Sequence, residues 1–462
     1  MGLSVFLAAL FCEVAGLDPV GKYFLVRFIQ CFGVAEPVDL GVKDLARQFG
    51  LSDRQVSGAL TALVACGAMT FSCAPEGKGR PKRCYRLQDY FLKKLNKASA
   101  RPTTHHEAAV GNLLKHENRK AAQASEKNEE QNEDVGLLAG LRRKRQPGQL
   151  SIVNRLLLSA LLCRADRLGV VRDLGSSALC KVTGLSKEGL KHRVQRLIDQ
   201  GMIRAYVSGA TSTVLSAKMK SAYFLNLNHP ELSAEGGTTS VLICVMSADP
   251  SEFVPHAHHI YSDIVILKRD PTAFDDKKEQ RLRFFESQPL SFFHLLQVML
   301  EKYAADMLSR YWSDLGHSAS NKWTHVQEWK ALIRKNFRFP KLLPSVDGNH
   351  LQKIDEDQHA ALISDLHYGA YTLATKIKSL LCQASEISFD TMSFVIVPQP
   401  MARGYCGVTL LARPHDSDGW RGCLYVEPYS EPQGFSYEAE IPLESRYRLG
   451  LLTQPGSKVK ST

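Results

Sequence analysis

The chain has 462 residues, 44% hydrophobic and 23% charged. This ordinary globular composition excludes a wholly disordered, collagen-like or disulfide-scaffold protein. No uninterrupted apolar stretch has the length of a membrane-spanning helix, so an integral membrane protein is not expected. The net charge of +11 is unevenly placed: residues 1–236 carry 34 basic and 21 acidic side chains, against 24 and 26 in residues 237–462. An excess confined to one half is the footprint of a polyanion-binding region. The eleven cysteines show no CxxC and no zinc-type Cys/His spacing. They read as reduced thiols of a cytosolic protein, mostly packed as small hydrophobes.

Residues 2–11 form an apolar segment that resembles a signal-peptide core but lacks a positive n-region, and Glu13 interrupts it. A first helix, buried or dimerising, is the reading preferred over a secretion signal. Next comes an internal repeat. Leu45, Gly50, Leu51, Ser52, Leu63 and Gly67 recur, at a constant offset of 134 and without a gap, as Leu179, Gly184, Leu185, Ser186, Leu197 and Gly201. Gly50 and Gly184 end a short helix where a left-handed backbone is needed. Ser52 and Ser186 cap the next helix. Val56, Leu60 and Leu63, like Leu190, Val194 and Leu197, recur at helical spacing and give each second helix one buried face. Gly67 and Gly201 stop that helix, and a short hairpin-like stretch follows each.

This pattern resembles the winged helix-turn-helix superfamily of DNA-binding domains, twice, over roughly residues 20–95 and 150–228. The resemblance implies that each second helix enters a major groove of double-stranded DNA while the hairpin, or wing, touches an adjacent groove or the backbone. In the first recognition helix Ser52, Arg54, Gln55, Ser57 and Thr61 face outward, and Arg and Gln can make bidentate contacts to base edges. The first wing carries Lys78, Arg80, Lys82, Arg83 and Arg86 around a Gly-Arg-Pro core suited to a narrow minor groove. In the second helix Ser186, Lys187, Lys191, His192 and Gln195 face outward with Arg193 and Arg196 on the flank, a cationic set suited to phosphates. The second wing, 207–222, has only Lys218 and Lys220 and a Ser/Thr-rich tip. It is either a weaker reader or an interface.

Residues 97–149 read as a charged, mobile linker unable to bury a core. Arg142, Arg143, Lys144 and Arg145 at its end can touch phosphates or simply be solvated, and around His105, His106 and His116 no acid or thiol stands at metal-site spacing. The expected organisation is therefore α+β: a first winged helix-turn-helix domain (1–96), the linker (97–149), a second such domain (150–230) and an α+β C-terminal domain (231–462) with antiparallel strands.

The C-terminal half holds all four tryptophans, Trp312, Trp323, Trp329 and Trp420. Strands are expected at 241–246, 264–267, 393–397, 406–412, 423–427 and 436–441, and helices at 289–315 and 357–383, with a turn at Asp416-Ser417-Asp418-Gly419. His256, His258, His259 and Asp263 do not match a metal-site spacing, and no phosphate loop, GxSxG or HExxH occurs. No enzyme activity, metal or cofactor is expected. The leading expectation is a sequence-specific transcriptional regulator in the cytoplasm, associated with the nucleoid, whose C-terminal half dimerises, senses a signal or binds a protein partner. A plasmid-type replication initiator, a class of paired winged helices packed together, and a DNA-docking subunit of a multiprotein defence or mobile-element complex are the alternatives.

Overall fold

The computed structural model describes residues 4–74, 82–98, 105–115, 150–229, 231–232, 240–249, 253–317, 319–339, 342–344, 351–353, 356–384, 389–399, 407–414 and 422–452. It is a mixed arrangement of helices and small sheets, α+β in general character. The chain divides into two compact units: Met1–Met202 with His229–Gly237, and Ile203–Asn228 with Thr238–Thr462. Among the described residues no helix is long and apolar enough to cross a membrane.

In the first unit α1 (Ser4–Phe11) packs on α2 (Pro19–Phe32). Phe6, Ala9 and Leu10 of α1 are buried, as the apolar N-terminal reading requires. Asp18 caps α2, its Oδ1 accepting from Gly21 N at 2.7 Å, with Pro19 in the first turn. Lys22 is buried and donates its ammonium to Ala9 O at 2.8 Å and to Cys12 O, satisfying the open carbonyls at the end of α1. Burial pulls its pKa down to about 8.

The 134-residue offset holds element by element. Helix α3 (Val42–Phe49) has its counterpart in α8 (Ser176–Thr183), and α4 (Asp53–Ala65) in α9 (Lys187–Asp199), with identical relative bounds. Gly50 (φ 64°) and Gly184 (φ 73°) both close the first helix of a pair in the left-handed conformation, and Gly67 and Gly201 both follow the second at φ 72°. Strands β1 (Met69–Ala74) and β2 (Lys82–Leu87) form an antiparallel hairpin, and Val38 bridges to Tyr85 of β2. Helix α5 (Asp89–Ala98) follows. Helix α7 (Ile152–Leu162), capped by Ser151, and the short β3 (Val170–Val171) precede α8.

One expectation for this half is corrected. Within the linker, α6 (Glu107–Leu114) is a packed helix, with Val110, Leu113 and Leu114 buried against α7. These three buried side chains in eight residues suffice for a buried face, and the polar average over 97–149 hides them. Residues 99–104 and 116–149, including His116 and the Arg142–Arg145 run, lie outside the described residues.

The second unit starts with β4 (Ile203–Val207) and β5 (Ala222–Leu225), an antiparallel pair. A five-stranded sheet follows in the order β12-β11-β6-β10-β9, from β6 (Val241–Met246), β9 (Met392–Val397), β10 (Gly407–Pro414), β11 (Gly422–Val426) and β12 (Gln433–Phe435). The expected antiparallel sheet is in fact mixed, because β6 lies between β10 and β11 and runs parallel to β11. All six β6 residues are buried, as a central strand covered on both faces requires. The helices are α10 (His256–Arg269), α11 (Asp276–Arg283), α12 (Leu290–Arg310), α13 (Val326–Asn336), α14 (Glu356–Ala384) and α15 (Leu443–Arg448). Helix α12 packs on β9 and along α14. A short hairpin, β7 (Leu342–Pro344) with β8 (Leu351–Lys353), precedes α14.

Helices α12 and α14 fall where their apolar periodicity places them, but residues 264–267 belong to α10, not to a strand. Ile264 and Leu267 are buried while Ile266 is exposed, a spacing of three rather than two. Residues 436–441 contain a 3-10 turn, Glu438–Glu440, and the edge strand lies just before it. The 416–419 turn and Trp420 lie outside the described residues. Trp312, Trp323 and Trp329 are buried in the core of this unit.

Candidate nucleic-acid interface

Each left-handed glycine turn delivers a helix with one buried and one exposed face. In α4, Val56, Ala59, Leu60 and Leu63 are buried. Ser52, Arg54, Ser57, Gly58 and Thr61 are exposed. Gly58 stands mid-helix with no atom within 4 Å of where a Cβ would lie, so the backbone is open to close approach there. In α9, Leu190, Val194 and Leu197 are buried, while Lys187, Lys191, His192, Gln195 and Arg196 are exposed. Lys187, Lys191 and Gln195 form one ridge at i, i+4 spacing, with His192 and Arg196 on the next.

Several candidate side chains are already occupied. Gln55 is half-buried and belongs to a capping box: Ser52 N donates to its Oε1 at 2.9 Å, and Gln55 N donates to Ser52 Oγ at 3.3 Å. With Oε1 committed, the expected bidentate contact to adenine requires breaking the box. The Ser-x-x-Gln signature at 52–55 carried this information in the sequence. Ser186 caps α9, accepting from Gly189 N at 3.0 Å, and Thr61 Oγ1 donates back to Ser57 O at 2.9 Å. Gln195 Nε2 donates to Asp199 Oδ1 at 2.9 Å. Arg193 turns inward, its Nη1 donating to Ser151 Oγ at 3.3 Å and Asn154 Oδ1 at 3.4 Å, so it buttresses α9 against α7.

The first hairpin separates two expected partners. Arg83 lies opposite Cys73 on the face that carries Phe71 and buried Tyr85, with its guanidinium 4.8 Å from the centre of the Phe71 ring. Arg86 lies opposite Thr70 on the other face. Both are exposed, in opposite directions. Lys78 and Arg80 lie outside the described residues. The backbone of Lys82 is described, opposite Ala74, but its side chain is not.

The second hairpin is built into the C-terminal half. Val214 and Leu215 join its core. Arg338 N donates to Val214 O at 2.9 Å, Ser216 N to Asn336 O at 3.0 Å, and Ser212 Oγ to Gln288 Oε1 at 2.7 Å. At its base Arg204, with a side chain 4% exposed, pairs with Glu438 at 2.6 Å and donates to Asn226 Oδ1 at 2.7 Å. These contacts hold the hairpin within its own chain. The adjacent pair Val214-Leu215 in a Ser/Thr-rich tip was the sequence signal of this burial.

In the second unit His256 packs its ring on Gly369, and burial lowers its pKa. His367 is buried beside Trp323 and Tyr371, and desolvation takes its pKa down to about 4. Among the described residues no trio of His, Cys, Asp or Glu is placed to hold a metal ion. No protein-family model matches the chain, and no curated protein matches it either.

Proposed function

We propose that the chain is a sequence-specific double-stranded DNA-binding protein whose two repeats are winged helix-turn-helix domains, acting in the cytoplasm as a transcriptional regulator. One observation carries the reading. The helix, left-handed glycine turn and capped second helix recur with identical bounds at the 134 offset, each time presenting an exposed polar or cationic face. Arg54 and Ser57 are the base readers of α4, and Lys187, Lys191, His192 and Arg196 neutralise phosphates from α9. The first wing adds Arg86 or Arg83, with Lys78, Arg80 and Lys82. The second half supplies contacts to a second copy or a protein partner.

A plasmid-type initiator is the second reading. It gains from both helix pairs belonging to one compact unit.

Selection of duplexes from a random library by the full chain at physiological salt tests the proposal. A compact enriched motif, relaxed at one position by Arg54→Ala, is expected. Absence of enrichment, with binding that vanishes as salt rises, contradicts it and favours a docking subunit.

A further inference from the structure

Helix α6, which no motif announced, ties the two repeats together. An α-helix leaves its last carbonyls without intrahelical partners. Those of α6 are taken from both sides. Tyr23 of α2, fully buried, donates its hydroxyl to Leu114 O at 3.0 Å. Arg155 of α7 donates Nη1 to Leu113 O and to Lys115 O, each at 3.2 Å. Gln30 of α2 donates to Gly111 O at 3.4 Å. At the other end the His106 ring lies 2.8 Å from Asp166 O, in the loop after α7.

A second, independent contact joins the repeats at their turns. Gly184, which starts the approach to α9, lies against the backbone of residues 17–19, and a Cβ there would stand 2.5 Å from Leu17 O. Beside it Lys181 pairs with Glu13, and Arg164 lies 4.9 Å from the centre of the Phe11 ring. The first turn sits further along α2, where Phe49 packs on Phe24 and Phe32. Phe24 and Phe32 both belong to α2 (Pro19–Phe32), and their midpoint lies about 15 Å beyond Asp18 along the helix, so the two turns are held about that far apart.

The two readers held in this way are unlike. The α4 face has one cation, Arg54, among small polar residues and Gly58, whereas the α9 face has Lys187, Lys191, His192 and Arg196. The hairpin of the first repeat belongs to the same unit as both helices, and that of the second belongs to the other unit.

We infer that one chain reads one asymmetric duplex site: two non-identical halves within about one helical turn, at a single spacing set by α6. This rests on the DNA-binding reading above. An inverted repeat filled by two chains is not the target, and the halves do not behave as sites for two tethered domains. A flexible tether tolerates changes in spacing, whereas a clamped pair does not.

The experiment uses the full chain and the duplex motif it selects, with five or ten base pairs inserted at each step across the motif, about half and one turn. At one position both insertions are expected to lower affinity roughly tenfold or more, to the level of one half alone. Sedimentation with the intact motif is expected to show one chain per duplex. Affinity that survives every insertion, or that returns with ten base pairs, overturns the inference while leaving DNA binding intact, as does a palindrome filled by two chains. Failure to select any duplex overturns the DNA-binding reading itself. In the protein, Tyr23→Phe with Arg155→Met is expected to reduce the penalty of insertion while preserving affinity for single halves. The insertion series on the unaltered chain decides the matter even if this variant misfolds.

Discussion

Glu301 shows how one buried group can set a pH dependence. Its carboxyl is buried on α12, where Gln297 Nε2 donates to Oε1 at 3.1 Å and Oε2 has no hydrogen-bond partner among the described residues. Desolvation pushes its pKa up to about 8. The folded chain therefore keeps this proton after the unfolded chain, at its ordinary carboxylate value, has released it. Stability falls as pH rises from about 4.5 to about 8, by on the order of 3 kcal/mol at pH 7 from this group alone. Glu301→Gln keeps the acceptor and removes the titration. Denaturant titration is expected to find the variant more stable at pH 7.5 and equal near pH 4.5. A variant less stable at pH 7.5 would contradict the assignment of a neutral acid. Arg204 and Glu438 form the opposite case, a paired buried charge. Glu438→Ala strands the guanidinium and is expected to cost about 3 kcal/mol, measured by the same titration, with Arg204→Met restoring part of the loss.

Glycines separate two energetic effects at the scale of elements. Gly201 needs only a left-handed backbone and has open space around it, whereas Gly184 needs the same backbone and also meets Leu17 O. Gly201→Ala is expected to cost about 1 kcal/mol and Gly184→Ala clearly more, by thermal unfolding. Equal costs would place the turn of the second repeat away from residues 17–19. The same elements mark how far the sequence was legible. The paired helices were readable because periodicity, caps and glycine stops agreed at one offset. Helix α6 was not, because its few apolar residues lie in a polar stretch and gain meaning only from Tyr23 and Arg155, far away in sequence. Residues 264–267 read as a strand because four consecutive apolar residues are compatible with either period, and burial of every third one became visible only in the fold. For the candidate site, exposure of Arg54, Lys187, Lys191 and Arg196 followed from the pattern. The inward turn of Arg193 did not, because it depends on Ser151 and Asn154.

At the scale of the whole molecule, charge and architecture point the same way. The basic excess lies in residues 1–236, and the first compact unit takes both helix pairs from that half. The nearly neutral second half builds a five-stranded sheet with a largely apolar core and binds the second hairpin into it. Under the proposed duplex binding, cations on α9 act mainly through released counterions, so their contribution is measurable as a salt slope. The most direct test of duplex binding is the affinity of the full chain for its selected duplex, followed by fluorescence anisotropy across a salt series, for the natural sequence and for Lys191→Ala with Arg196→Ala. The account predicts a steep linear fall of log affinity with log salt, and a slope shallower by about 2 in the double variant. An unchanged slope would remove α9 from the interface, and no measurable duplex binding at low salt would contradict the account as a whole.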